Sequence, residues 1–385
     1  MLDNKDNKRA VIVTSGFLLF ISCFGIWSIW EPDRTLSEFE NRVLAKFPTF
    51  SWDKLWSGKY TDQLDDYLVD QFVGRDNWVG LKSDMERISG KTENNQVFFG
   101  SSGYLFERFT YNEEQLDKNL KQITLFAERH QKDIDSLSLL LVPNSQTLNG
   151  EYLPKYAAAT DVPQSPLMDQ IFSRLSGVVT PVDIRNVLNQ KKITEQIYYR
   201  TDHHWTTRGA YYGYQTFADS IGLSPTPEAA LKEIGFSDSF YGTFYTKANQ
   251  RSITPDELEL LETSLPEYEV CIEGQDTCTN SFYDMNALNE RDKYKVFFGG
   301  NYPLVTIDIP HEGEREGRSI VVFKDSYANA MVPFLAQHYS TIHMIDMRYF
   351  RMDVDEYLEE HQFDDMLMLY SVATLAQDDI FKWLN

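Results

Sequence analysis

Two short segments of the sequence carry the side chains that serine-type acyl chemistry needs. Asp202 and His204 lie two residues apart in the run Thr-Asp-His-His-Trp, in a protein with only 7 histidines. In an extended segment, residues two apart point to the same side, so the carboxylate would fix one ring nitrogen and leave the other basic. Ser326 follows a β-branched run and precedes a segment that can begin a helix, whose free N–H groups favour an oxyanion. These residue types predict a nucleophile, a base and an acid, provided that the fold brings them together.

Each part of this pattern also has a simpler interpretation. An aspartate two residues before a histidine often caps a turn, and Ser326 or Asp325 could be an ordinary helix N-cap. In an extended segment, His203 is expected to point away from Asp202 into packing. Trp205 is expected to wedge the loop against the rest of the domain.

A metal site is a further interpretation of the Asp-His-His run. A phosphoesterase that uses Mn²⁺ or Zn²⁺ would accept such ligands, but it would need several more. The sequence contexts of the other candidates suggest none: His311, His338, His343 and His361. We therefore predict no metal and no cofactor, and the metal-dependent phosphoesterase stays an alternative.

Composition argues against several classes of function. The 385 residues are 42% hydrophobic and 14% aromatic, which is typical of a globular protein. The formal net charge of −22 argues against nucleic acid binding, which needs clustered lysine and arginine. The same charge disfavours a polyanionic substrate unless a local basic pocket reverses it. The 22 tyrosines and 25 phenylalanines would suit stacking on sugars, so a non-catalytic glycan-binding or scaffold protein is another alternative.

Residues 10–30 form an uninterrupted apolar run, long enough to cross the roughly 30 Å hydrocarbon core of a bilayer. Basic residues precede the run and Glu31 follows it, so the N-terminus is expected in the cytoplasm. A cleaved signal peptide would have a shorter apolar segment and small residues before the cut. The residues before Cys23 fit a lipoprotein site poorly. We predict an uncleaved single-pass anchor in the cell membrane, with the following domain extracellular.

Two cysteines, Cys271 and Cys278, lie outside the apolar run and are separated by a short loop. An oxidising compartment would favour a disulfide across that loop, and two free thiols on a surface hairpin are the alternative. Because no histidines lie nearby, a zinc site is disfavoured.

Short apolar segments alternate with amphipathic helices through the second part of the chain. The segments that predict strands lie at residues 137–142, 178–183, 319–323, 341–346 and 366–370. Repeated strand–helix units predict an α/β domain whose mainly parallel sheet is covered on both faces. The predicted parts are a cytoplasmic tail and anchor (1–30), a helical neck (31–95) and a catalytic domain (96–385). An inserted β-rich segment at about 224–317 is expected to pack beside the sheet.

The sequence resembles the DHHW-motif proteins of bacterial cell envelopes, an SGNH-hydrolase-like group to which alginate O-acetylation proteins are related. The matching motifs occur in order at residues 34–42, 98–106, 202–205, 298–302, 324–329 and 345–350. The resemblance extends over most of the chain after the anchor. It implies a three-layer α/β/α domain with a permuted motif order, since the Asp and His precede the Ser.

The resemblance also implies roles for individual residues. Ser326 would be the nucleophile, His204 the base and Asp202 its partner in an O-acyltransferase, with acetyl the expected group. Related proteins usually modify cell-wall or capsular polysaccharides outside the membrane, often beside a membrane-bound O-acyltransferase that delivers the acyl group. A carbohydrate esterase is an alternative, because nothing in the sequence shows that a sugar hydroxyl outcompetes water. From loop placement, the Ser326 N–H with Asn144 or Asn301 is expected to form the oxyanion hole.

Overall fold

The structure is a computed structural model that describes residues 4–37, 39–40, 42–310 and 317–384. His311 and part of the predicted insertion lie outside the described residues. The chain forms two compact units, Met1–Lys91 with Asn249–Ser252, and Thr92–Ala248 with Ile253–Asn385. The first unit therefore contains the predicted anchor and most of the neck, together with a short piece of the predicted insertion.

The first unit begins with helix α1 (Asn4–Trp30). Among the described residues, its stretch Lys8–Ser28 is the one segment long and apolar enough to cross a membrane, and its side chains are not buried in the protein. This confirms the predicted apolar helix near the N-terminus. By length and composition it fits a single-pass anchor or a signal sequence.

The rest of the first unit is a small ladder followed by three helices. These elements are β1 (Leu36–Ser37), β2 (Arg42–Val43), α2 (Trp52–Trp56), α3 (Lys59–Asp70) and α4 (Arg75–Ile88). Both terminal nitrogens of Arg42 donate to the buried carboxylate of Asp70. These hydrogen bonds lower the pKa of Asp70 to about 2. The segment predicted as a helical neck is thus helical from residue 52, while its first part is extended and held to α3 by this ion pair.

A seven-stranded mixed sheet lies at the centre of the second unit. In chain order the strands of this unit are β3 (Glu93–Asn94), β4 (Val97–Phe99), β5 (Leu105–Glu107), β6 (Ser136–Val142), β7 (Thr180–Asp183), β8 (Lys232–Phe240), β9 (Asp256–Glu262), β10 (Glu269–Ile272), β11 (Leu304–Asp308), β12 (Ser319–Lys324), β13 (Thr341–Ile345) and β14 (Asp365–Ser371). The order across the main sheet is β10-β11-β13-β12-β14-β6-β7. Strands β3–β5 and β8–β9 form two smaller sheets.

The main sheet is parallel from β13 to β7 and antiparallel at the other edge. In the parallel part, Val322 of β12 lies opposite Met344 of β13 and Leu367 of β14. The antiparallel strands β10 and β11 both come from the predicted insertion. The insertion therefore extends the sheet, and the expectation that it only packs beside the sheet was wrong. Strands this short carry too few residues for their periodicity to be recognised.

Helices cover both faces of the sheet. They are α5 (Glu113–His130), α6 (Ser145–Asn149), α7 (Gln164–Arg174), α8 (Arg185–Lys191), α9 (Thr207–Ser220), α10 (Thr243–Ala248), α11 (Ala328–Leu335), α12 (Val354–His361) and α13 (Val372–Gln377). Leu140 and Val142 of β6 join an apolar core with α9 and α11. Leu139 and Leu141 face the other way, into a core with α5 and α7. Because both faces of β6 are buried, its sequence is a continuous apolar run.

The parallel strands β6, β12 and β14 end at the same edge of the sheet, and their following turns hold polar residues. This edge is where ligands usually bind in α/β sheets. In β10, the edge strand of the antiparallel side of the sheet, Cys271 forms a disulfide with Cys278, as expected for an oxidising compartment. Cys23 of α1 is free and exposed.

Candidate active site

A tight hairpin carries the Asp-His-His run. Tyr198 pairs with Trp205 across the hairpin, and the Tyr199 N–H donates to the carbonyl of His204 at 3.2 Å. The residues between them form bends, so the extended conformation expected from the sequence is absent from this described segment. Instead, Asp202 Oδ1 accepts the backbone N–H of His204 at 2.9 Å. This Asx-type turn brings the carboxylate beside the imidazole.

Ser326 lies in the turn between β12 and α11. The carboxylate of Asp325 holds this turn, because it accepts the N–H groups of Tyr327 (3.0 Å) and Ser371 (2.7 Å). Tyr327 occupies the N-cap position of α11 without a capping side chain. The simpler interpretation, in which Ser326 is an N-cap, therefore does not hold, and its hydroxyl is available for another partner.

The hairpin and the turn meet in one hydrogen-bonded array. Ser326 Oγ lies 2.8 Å from His204 Nε2, and His204 Nδ1 lies 2.6 Å from Asp202 Oδ1. With the ring proton on Nδ1, the serine hydroxyl donates to the imidazole and the imidazole donates to the carboxylate. His204 and Asp202 are buried, at 5% and 3% exposure, whereas Ser326 is half-buried. The structure thus brings together the three residues singled out in the sequence, which we call the triad.

The second oxygen of Asp202 is held by Thr243. The backbone N–H and the hydroxyl of Thr243 donate to Asp202 Oδ2 at 2.7 and 2.6 Å. A Cβ on the preceding Gly242 would lie 2.2 Å from the Cβ of Asp202, so this position requires glycine. Burial alone would raise the pKa of Asp202. The nearby rings of His203 and His204 and the hydrogen bonds outweigh burial, and the pKa lies well below its usual value.

His203 does not point away from the triad as expected. Its ring centroid lies 3.7 Å from that of His204, and its Nδ1 donates to the hydroxyl oxygen of Thr243 at 2.8 Å. Burial and the neighbouring His204 ring lower the pKa of His203 to about 4. At neutral pH this imidazole is therefore uncharged, and through Thr243 it helps to hold the carboxylate of Asp202.

Tyr294 supports the triad, although nothing in the sequence pointed to it. Its ring stacks face to face on His204, with centroids 3.7 Å apart and planes inclined by 6°. Its hydroxyl donates to the carbonyl oxygen of Ser326 at 3.4 Å. One side chain therefore fixes the orientation of the imidazole and the position of the serine backbone.

Trp205 and Tyr327 link the hairpin to the turn. The Nε1–H of Trp205 donates to the carbonyl of Tyr327 at 3.0 Å, and the hydroxyl of Tyr327 donates to the carbonyl of His203. Trp205 is fully buried and packs so closely on α9 that a Cβ at Gly213 would lie 2.8 Å from its ring. These contacts agree with the expected role of Trp205 as a wedge.

The structure connects neither proposed oxyanion asparagine to Ser326. Asn144 Oδ1 accepts the N–H and hydroxyl of Thr147, at 3.2 and 2.6 Å, as the N-cap of α6. Asn301 Oδ1 accepts from the ammonium of Lys324 at 3.1 Å. Within the described part of the chain, neither amide bonds the serine, and the backbone N–H of Ser326 has no acceptor. In each asparagine the amide oxygen is held, so the amide nitrogen is the group left to donate.

The side chain of Lys324, two residues before Ser326, is buried. Besides Asn301, it donates to Asn329 Oδ1 at 2.8 Å, and its ammonium lies 3.6 Å from the carboxylate of Asp346. Burial, opposed by Asp346, lowers the pKa of Lys324 to about 8. The sequence placed Lys324 next to a strand end but gave no sign that its side chain turns inward.

A cleft of about 410 Å³ lies beside the triad. Its lining includes His203, Thr243 and Tyr327, each of which contacts a member of the triad, and the predicted donor Asn144. This volume lies in the range of small-molecule sites, about 300–1,000 Å³. A molecule bound in the cleft would therefore lie next to the triad.

Asp202, His203 and His204 also place three ligand atoms within 4.8 Å of one another, and no other described residue joins this group. Both carboxylate oxygens and the Nδ1 atoms of both rings already form hydrogen bonds, and His204 Nε2 contacts Ser326. A metal ion would have to displace these bonds. The donor set therefore fits a proton relay better than a metal centre.

Comparison with known proteins supplies the relationships of this chain. The sequence profile of the family described as "DHHW protein" matches residues 161–345. Over 161 residues the chain is 30% identical to the probable alginate O-acetylase AlgJ of Pseudomonas putida, a match that covers 38% of this chain and 40% of AlgJ. The chain thus spans about two fifths of the length of this curated relative.

Two solved structures resemble this fold. A DHHW family protein from Eubacterium siraeum superposes with a TM-score of 0.66 at 22% identity, covering 76% of this chain and 95% of that one. Bacillus cereus PatB1, also solved with a sulfonyl adduct, gives a TM-score of 0.62 at 20% identity, over 74% of this chain and 98% of PatB1. At these identities the likeness is one of fold. The family match at residues 161–345, just under half of the chain, and the match to AlgJ show that the chain is related to the DHHW proteins and to alginate O-acetylation proteins.

Proposed function

We propose that this protein is an extracytoplasmic serine-dependent O-acyltransferase, with acetyl the expected group, that modifies a cell-envelope polysaccharide. The observation that carries the proposal is the hydrogen-bonded array of Ser326, His204 and Asp202. The relationship to a probable alginate O-acetylase supports acyl transfer to a polysaccharide as the reaction class. The order of the three residues along the chain and the two helix-covered faces support a permuted, three-layer SGNH-hydrolase-like domain.

In the first half of the reaction, Ser326 Oγ attacks the carbonyl carbon of an acyl donor. His204 Nε2 removes the hydroxyl proton as the new C–O bond forms, and Asp202 stabilises the imidazolium. When the tetrahedral intermediate collapses, the donor's leaving group takes that proton from His204. The products are an acyl ester on Ser326 and the released leaving group.

In the second half, a sugar hydroxyl attacks the ester on Ser326. His204 Nε2 removes the proton of that hydroxyl and then returns it to Ser326 Oγ as the serine leaves. The Ser326 N–H, with Asn144 or Asn301 as a second donor, would stabilise the oxyanion in both halves. If water attacks instead, the same intermediate gives an esterase. Because Ser326 is half-buried beside an open cleft, water can reach it, and a carbohydrate esterase is therefore the alternative function.

Helix α1 would hold the second unit near a donor delivered through the membrane. We propose that α1 stays uncleaved, with the N-terminus in the cytoplasm, and that a membrane-bound O-acyltransferase supplies the acyl group. Tethering raises the effective concentration of the site at the membrane surface.

The Ser326→Ala variant tests the proposal directly. It should lose hydrolysis of p-nitrophenyl acetate, acyl transfer to oligosaccharides and labelling by a sulfonyl fluoride, by at least about 10³-fold in rate. The far-ultraviolet circular dichroism spectrum and the melting temperature should stay unchanged, because the hydroxyl has few partners.

Ser224→Ala is the matched control, since Ser224 is an exposed serine of the same unit. It should behave like the unmodified protein in all three assays. Equal activity of the Ser326→Ala and Ser224→Ala variants would end the proposal. A ratio of transfer to hydrolysis below one at saturating acceptor would replace the transferase with the esterase.

A further inference from the structure

The charges that line the cleft beside the triad are already neutralised within the protein. Lys247 and Arg108 are the lysine and arginine of the lining. The ammonium of Lys247 is paired with the carboxylate of Glu107, and the guanidinium of Arg108 with that of Glu93. Both pairs are formed between neighbouring segments of the second unit. No cation of the described lining is thus left over to neutralise a carboxylate brought in by a ligand.

Apart from the imidazole of His203, the rest of the polar lining is made of amides and hydroxyls. It comprises Gln96, Thr110, Asn144, Ser145, Gln146, Gln164, Thr243, Tyr327, Ser371 and Gln377. Gln146 and Gln377 each use the amide nitrogen to bond a backbone carbonyl, at 2.7 and 2.5 Å. Gln164 uses its amide oxygen to accept the Asn144 N–H at 2.7 Å. Among these described residues, the amide oxygens of Gln146 and Gln377 are therefore left to accept, and the amide nitrogens of Gln164 and Asn144 are left to donate.

A sugar hydroxyl both donates and accepts, so it matches a lining that offers both kinds of group. A carboxylate only accepts, and taking its charge out of water is costly unless a cation pairs with it. A polyuronate such as alginate would meet the free amide oxygens of Gln146 and Gln377 and the carboxylate of Glu107, the partner of Lys247. The net charge of −22 adds repulsion at longer range.

We infer that the acceptor which binds in this cleft is an uncharged sugar segment and not a polyuronate. The inference rests on the proposed function, since it assigns the cleft to the acceptor of acyl transfer. The inferred acceptor therefore differs from alginate, the polysaccharide in the name of the relative AlgJ. The ion pair of Lys247 with Glu107 is the feature that sets this preference, because it occupies the lysine of the lining.

Binding to the full-length Ser326→Ala variant in nanodiscs tests the inference without requiring turnover. The probes are pentamers of glucose, galactose, N-acetylglucosamine and N-acetylmannosamine on one side, and a mannuronate pentamer on the other, measured by saturation-transfer NMR. At least one neutral pentamer should bind at least about tenfold more tightly than the mannuronate. Tighter binding of the mannuronate, or no binding of any neutral pentamer, would overturn the inference.

The Glu107→Gln variant, made in the same background, supplies a gain of function. It frees Lys247, so mannuronate binding should strengthen about two- to fivefold at low salt and return to its former value at high salt. Glu151→Gln is the matched control, because it frees Lys192 from an ion pair of 3.1 Å that does not line the cleft. If both variants, or neither, change mannuronate binding, the Lys247–Glu107 pair does not set the preference.

The two proposals fail in different ways. If the unmodified protein hydrolyses p-nitrophenyl acetate and is labelled at Ser326 while neutral pentamers do not bind, the acceptor inference alone is lost. If neutral pentamers bind but Ser326 is unreactive, the catalytic proposal is lost and the cleft remains a glycan site.

Discussion

Asn144 and Asn301, the two proposed side-chain donors of the oxyanion hole, are held by different partners, so their roles can be tested separately. Asn144 is held by the first turn of α6 and lines the cleft, whereas Asn301 is held by Lys324. Removal of a side-chain oxyanion donor typically lowers kcat by about 10²–10³. We therefore expect one of Asn144→Ala and Asn301→Ala to show a loss of that size in p-nitrophenyl acetate hydrolysis. The other variant should keep kcat within about threefold of the unmodified protein. If both variants do so, neither asparagine is the side-chain oxyanion donor.

Lys324 gives a pH dependence whose sign follows from burial. Its pKa is lowered from 10.5 to about 8, so between these values the unfolded chain binds a proton that the folded protein does not. Stability should therefore rise with pH across this window. Each pKa unit corresponds to about 1.4 kcal/mol, which makes the total gain about 3 kcal/mol. The carboxylates of Asp325 and Asp346 and the guanidinium of Arg348 are the charged groups around it.

The comparison for Lys324 is the Lys324→Met variant, which keeps the length of the side chain and removes the charge. Asp346 also pairs with Arg348, at 2.6 Å in this structure, so it should keep a charged partner when the lysine is removed. Between pH 7.5 and pH 10, the melting temperature of the unmodified protein should rise relative to that of Lys324→Met. A difference that is constant with pH would show that the pKa of Lys324 is the same in the folded and the unfolded protein.

Single residues also mark the limit of what the sequence could predict. Asp202, His204 and Ser326 were recognisable because a short motif and a strand end are local features. Tyr294 was not, because it reaches His204 from a segment far along the chain and only tertiary packing brings the rings together. The inward turn of Lys324 likewise depends on Asp346 of a neighbouring strand end.

At the scale of elements, the hairpin that carries His204 is fixed by the packing of Trp205 on α9. An alanine at Gly213 would favour the helix by about 1 kcal/mol, but its Cβ would lie 2.8 Å from the Trp205 ring. Such overpacking costs about 1–3 kcal/mol. Gly213→Ala should therefore lower the melting temperature and also kcat, because the hairpin has to shift. Gly150→Ala, where the added Cβ meets no atom within 4 Å, should change neither.

Most elements of the parallel sheet follow from local patterns, since buried strands such as β6 and β14 are apolar along their whole length. The strands of the antiparallel edge do not follow from local patterns. Strands β10 and β11 have five residues or fewer and are defined by their partners in the sheet. In the same way, the first part of the neck is held by the pairing of Arg42 with Asp70, which no helical periodicity indicates.

At the scale of the whole molecule, the orientation of α1 decides where the site works. We expect protease added to intact spheroplasts to digest a C-terminal tag while an N-terminal tag survives. The positive charges before the apolar segment give the physical reason. A cytoplasmic protein is the control for leakage. N-terminal sequencing should find the chain intact, and a mature protein that begins near residue 31 would replace the anchor with a signal sequence.

The position of β14 has a consequence for when the protein becomes reactive. β14 is the last strand in chain order, yet it lies between β12 and β6. The Asp325 N–H donates to Leu369 of this strand at 3.2 Å, and the Asp325 carboxylate accepts from Ser371. During synthesis, Ser326 and His204 emerge before the strand that holds the serine turn. The serine turn therefore lacks this support until residues 365–371 have been made, so we expect the triad to assemble only when nearly the whole chain has been synthesised.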